Sequence, residues 1–69
     1  MEHRVLELAE IIVELAARDA VNNVGRVLIE DLIAKGYSRE EVTEALKVIE
    51  RRYRVSVVGD YIKVFLSER

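Results

Sequence analysis

The chain contains no cysteine, no proline, no tryptophan and no glutamine, and it has one histidine and three glycines. Without cysteine there are no disulfides, no thiolate nucleophile and no cysteine metal site, and His3 alone cannot supply a histidine pair for zinc. No proline, low-complexity run or fixed-period repeat marks a linker, so the 69 residues read as one domain. A chain this short buries only about 60% of the surface its unfolded form exposes, which leaves little room for an enclosed active site. No apolar run approaches the roughly 20 residues that cross a bilayer, and Met1-Glu2-His3-Arg4 has no secretory pattern. A cytoplasmic protein with no membrane partner is expected. Hydrophobic residues at 51% beside charged residues at 35% allow folding, because disorder needs low hydrophobicity and high net charge. The lack of Cys and Gln, with Arg, Glu, Val and Ile abundant, is the composition expected of a heat-adapted protein.

Helix periodicity opens the chain. Glu7, Glu10, Glu14 and Arg18 recur at three- and four-residue steps, which predicts a helix over about residues 2–18. Its remaining positions are nearly all apolar, a wider arc than one neighbouring layer covers. Asp and Asn favour caps and turns, so Asp19-Ala20-Val21-Asn22-Asn23 breaks the pattern. A second helix is expected over about 24–35, with Val24, Val27, Leu28, Leu32 and Ile33 inward and Arg26, Glu30, Asp31 and Lys35 outward. Gly36 would stop it in a left-handed cap. The third helix, expected over 39–52, has the clearest start: Ser38 with Glu41 three residues on is a capping box. Val42, Ala45, Leu46, Ile49 and Tyr53 share its apolar face, and Glu50 is spaced to pair with Arg54.

The period then changes from 3.6 to 2 and β-branched residues accumulate. Residues 53–58 and 61–66 read as two strands joined by Gly59-Asp60, a two-residue loop suited to a type II′ or a type I′ turn. That loop length sets Val57 opposite Ile62, Val55 opposite Val64 and Tyr53 opposite Leu66 on one face. Val58 with Tyr61, Ser56 with Lys63 and Arg54 with Phe65 take the other.

Three helices followed by a hairpin make this an α+β chain that resembles a small winged helix-turn-helix domain. The stretch from Leu28 to Leu46, through the turn Gly36-Tyr37-Ser38, carries the resemblance, followed by Val55-Ser56-Val57 and Ile62-Lys63-Val64. The glycine common between the third helix and the wing is replaced by Arg51-Arg52-Tyr53-Arg54. The resemblance implies a regulator or architectural protein that binds double-stranded DNA, with the third helix in the major groove and the hairpin on the backbone. Carried over residue by residue, Ser38, Arg39, Thr43 and Lys47 would face the groove, with Arg51, Arg54 and Lys63 reaching phosphates. The charges weigh on both sides. The whole chain is at −2, with residues 1–50 at −5 and residues 51–69 at +3, so the cations gather at the hairpin end while Glu40 and Glu44 sit on the third helix.

The broad apolar arc of the first helix points to a homodimer in which Leu6, Leu8, Ile11, Val13 and Leu15 meet a second copy. A winged-helix module that contacts only proteins is the alternative function. Catalysis and cofactors are not expected. Glu7, Glu10 and Glu14 have no histidine support for a metal, Ser38 is better explained as a cap than as a nucleophile, and no glycine-rich phosphate loop is present.

Overall fold

The computed structural model describes residues 2–67, apart from the side chain of Glu2. The order is α1 (Glu2–Asp19), β1 (Val24–Leu28), α2 (Ile29–Ala34), α3 (Arg39–Ile49), β2 (Arg54–Val58) and β3 (Tyr61–Phe65). The strands form an antiparallel sheet in the order β1-β3-β2, and the three helices cover one of its faces. This is the α+β, winged-helix-like arrangement, with the hairpin as the wing.

The second helix is shorter than its apolar spacing predicts. The first five residues of the expected helix over 24–35 form a strand, leaving α2 only six residues long. Two local devices impose this. Asn22 and Asn23 both adopt left-handed backbone, at φ 56° and 68°. The Val21 and Val24 amides each donate to the other's carbonyl, at 3.0 and 3.1 Å. That is the geometry of a type I′ turn, which launches a strand. Burial then alternates along β1, with Gly25 and Val27 inside and Arg26 and Leu28 outside. A helix would have put Leu28 and Ile33 in the core, yet they stay 49% and 37% exposed. Gly25 is needed because α1 lies directly on it: a Cβ there would stand 1.9 Å from the Ala16 carbonyl oxygen. The free edge of β1 is capped by Asp19, whose Oδ2 accepts the Arg26 amide at 3.0 Å.

Gly36 ends α2 in left-handed backbone at φ 106°. Its amide donates to the Ile33 carbonyl at 2.9 Å and that of Tyr37 to Leu32 at 3.2 Å, a Schellman cap. The capping box opens α3 as expected. The helix stops at Ile49 rather than at 52, and the Arg52 and Tyr53 amides both turn back to the Ile49 carbonyl at 2.9 Å. Arg54 is therefore on a strand, out of helical register with Glu50, and the expected pair does not form. The hairpin has the expected register from Arg54–Phe65 to Val58–Tyr61. Tyr53 and Leu66 lie beyond the paired strands; the Leu66 amide goes to the Asn23 carbonyl at 2.7 Å. Gly59 is left-handed at φ 59° and Asp60 is not, which selects the type II′ turn.

The core lies between α1 and the sheet. Leu8, Ile12 and Ala16 of α1, Leu32 of α2, Ala45 of α3, and Ile62 and Val64 of β3 are fully enclosed. Each large apolar side chain among them contributes about 1.5–3 kcal/mol by leaving water.

Candidate nucleic-acid interface

The residues expected to touch DNA divide between two separate places. On α3, Ser38 is committed to capping: its Oγ accepts the Glu41 amide at 3.1 Å, and Glu41 Oε1 accepts the Ser38 amide at 2.9 Å. Glu41 also takes the Arg4 guanidinium through both oxygens, at 2.6 and 3.1 Å, and Arg4 donates to the Gly36 carbonyl at 2.9 Å. The Arg4 hydrogen bonds, followed by that from the Ser38 amide, lower the Glu41 carboxyl from its ordinary 4.5 to about 2. Glu41 is therefore a structural clamp between α1 and α3. Thr43 Oγ1 donates to the Arg39 carbonyl at 3.1 Å, leaving the hydroxyl oxygen still able to accept. Lys47 Nζ lies 3.7 Å from Glu44 Oε2. Ser38, Lys47 and Arg51 line one groove beside α1, and Glu40 and Glu44 line the same groove. The cations of α3 are thus interleaved with carboxylates that repel phosphate.

Arg54 and Lys63 are elsewhere, on the sheet face turned away from the helices. Strand pairing arranges that face in three rows: Val24, Phe65 and Arg54; Arg26, Lys63 and Ser56; Leu28, Tyr61 and Val58. It presents Arg26, Arg54 and Lys63, and no strand contains a carboxylate. Arg26 and Lys63 stand directly opposite each other across β1 and β3. A like-charged pair in that position costs stability, so the fold does not call for it. The two arginines lie against rings: the Arg26 guanidinium is 5.7 Å from the Tyr61 centroid and that of Arg54 is 5.4 Å from Phe65. Asp19, 3.8 Å from Arg26 Nε, offsets part of this charge, and Asp31 lines the same hollow as Arg26 and Tyr61.

The hairpin does not project as a free wing. β1 pairs with β3 along its whole length, and at the tip the Asp60 carbonyl accepts the Ile29 amide at 2.9 Å. The turn that would approach a groove carries Asp60 and no cation.

Among the residues expected to meet a second copy, Leu8 is inside the core, fully buried, and leaves that set. Leu6 is 52% exposed, and Ile11, Val13 and Leu15 are half-buried. Glu7 accepts the Tyr37 hydroxyl at 3.1 Å; burial first and that bond second raise the Tyr37 pKa above its usual value. Among the described residues no group of three or more His, Asp or Glu side chains is placed to hold a metal. Sequence reasoning missed Arg26 as a surface partner of Lys63, because it assigned residue 26 to a helix. The alternation Val24-Gly25-Arg26-Val27-Leu28 after two asparagines was the available signal. Comparison with protein-family models, curated proteins and solved structures gives no match to this chain.

Proposed function

We propose that this chain is a small DNA-binding protein whose phosphate contacts come from the outer face of its sheet. The observation that carries this reading is the cluster of Arg26, Arg54 and Lys63 on a face whose strands hold no carboxylate, with Arg26 and Lys63 set opposite each other at a cost to stability. Phosphate neutralisation by Lys and Arg supplies most of the affinity for DNA, and a polyanion relieves the repulsion between those cations. Tyr61 and Phe65 give the same face two aromatic surfaces beside the charge. This departs from the major-groove docking that the winged-helix resemblance implies, because Glu40 and Glu44 share the α3 groove with Lys47 and Arg51. The reading is of a binding protein rather than an enzyme, working in the cytoplasm as a regulator or architectural factor.

The test is a fluorescence-anisotropy titration with mixed-sequence duplex DNA at two salt concentrations. Three phosphate contacts give a slope of log affinity against log salt of about −2.7, so affinity falls about 40-fold between 50 and 200 mM salt. Lys63→Glu should lower affinity and flatten the slope, and Lys47→Glu should change neither. Absence of binding at 50 mM salt, or loss with Lys47→Glu but not with Lys63→Glu, refutes the assignment.

A further inference from the structure

The helix side of the molecule carries a second surface with a different character. A groove runs along the junction of α1 and α3, lined by Leu6, Val13, Val48 and Tyr53, all of them exposed or half-buried. One wall is acidic, Glu10 and Glu14 of α1, and the other is basic, Arg52 just beyond α3. Arg51 lines the adjoining groove, which shares Leu6 and Val48 with this one and also holds Lys47, Glu40 and Glu44. The walls do not neutralise each other. Among the described residues Glu14 reaches only Arg18, at 3.6 Å with both side chains mostly in water, while Glu10, Arg51 and Arg52 have no ion-pair partner.

We propose that a second copy of this chain docks on this groove. An isologous contact requires one patch that is complementary to itself. An apolar floor between an acidic and a basic wall meets that requirement. With a two-fold axis along the groove, Glu10 and Glu14 of one protomer face Arg51 and Arg52 of its partner, twice over, and Leu6 packs across the axis. A standard interface takes about 800 Å² from each partner, about a sixth of the 4954 Å² surface of one chain, so a single side of the molecule suffices. The outer sheet face stays free in such a dimer, which presents two copies of it. The inference stands independently of DNA binding, because its test contains no nucleic acid.

The test is sedimentation equilibrium at low salt on the wild type and on two charge-reversed variants, Arg51→Glu/Arg52→Glu and Glu10→Arg/Glu14→Arg, each confirmed as folded by circular dichroism. The wild type should show twice the 7.9 kDa mass of one chain. Each variant alone should dissociate at least about tenfold more readily, because like charges then face each other. An equimolar mixture of the two should recover the wild-type mass, since the acidic walls of one variant match the basic walls of the other. Leu6→Glu, at an exposed position outside the core, should give a folded monomer. A wild type that is monomeric at 100 μM, variants that dimerise like the wild type, or a mixture that stays monomeric overturns the proposal.

Discussion

Replacing Gly25 with alanine probes the closest approach in the fold, where α1 rests on β1. The new Cβ would lie 1.9, 2.5 and 2.7 Å from the carbonyl oxygen, carbonyl carbon and Cα of Ala16. All three are backbone atoms, so no side chain can swing aside. Reaching ordinary contact at 3.4 Å requires α1 to withdraw by about 1.5 Å, the difference between 3.4 and 1.9. A gap of 0.5–1 Å already forfeits a quarter to a half of each contact, and here Leu8, Ile12 and Ala16 would all lift from Val27, Ile62 and Val64. Overpacking typically costs about 1–3 kcal/mol, and a collision with backbone belongs at or above the top of that range. We expect a loss of about 3–5 kcal/mol, against a total stability of about 3.5–10 kcal/mol for a domain of this length. Urea unfolding followed by circular dichroism measures it. Gly36→Ala and Gly59→Ala are the controls, since nothing lies within 4 Å of either new Cβ and only the left-handed backbone, about 1–2 kcal/mol, opposes them. Adding Ala16→Gly to the Gly25→Ala variant should restore nothing. A loss below about 1 kcal/mol for Gly25→Ala, or rescue by Ala16→Gly, would rule out a backbone collision between α1 and β1.

Other perturbations separate the core from the surface. Leu32→Ala, at a fully enclosed side chain, should cost about 2–5 kcal/mol, and Leu46→Ala, only partly buried, should cost less; equal losses by urea unfolding would contradict the core boundary. The folded pKa of Glu41 is depressed to about 2, so its stabilising effect is fully present above the ordinary 4.5 and is lost as pH falls from 4.5 towards 2. Melting temperature should decline across that window in the wild type and less steeply in Arg4→Met; identical profiles would remove Arg4 from the clamp. Asn23→Gly suits the type I′ turn at φ 68° and should raise the melting temperature by a few degrees, whereas Asn23→Val should lower it. The reverse order would place the origin of β1 elsewhere.

What could be read from the sequence was decided by local rules. The Ser38–Glu41 box, the Gly36 cap and the two-residue Gly59-Asp60 loop each depend on a few neighbouring residues, and each appears where those residues place it. The period of α1 also held, with Glu14 and Arg18 paired on its solvent side. β1 could not be read in the same way, because its partner β3 lies more than thirty residues away and Val24, Val27, Leu28 and Leu32 fit a helical stripe as well as a strand. The Asn22-Asn23 turn is the local cue that favours the strand, and pairing with Phe65 to Tyr61 completes it. The misplaced strand had a direct consequence at the candidate interface. With residue 26 on a helix, Lys63 belonged to a projecting wing; with residue 26 on β1, Lys63 lies in the middle of a broad sheet face beside a second cation. Spacing also could not show that α1 has a buried side, which takes Leu8 into the core, and a partly open one bearing Leu6.

A titration of isotope-labelled protein with short duplex DNA, followed by amide chemical shifts, locates the contact surface. The largest changes should fall on the outer-face positions of the three strands, at Arg26, Lys63, Phe65 and Arg54, while Arg39, Thr43 and Lys47 move little. Changes concentrated on residues 38–47, with the sheet silent, would contradict it and return the contact to α3.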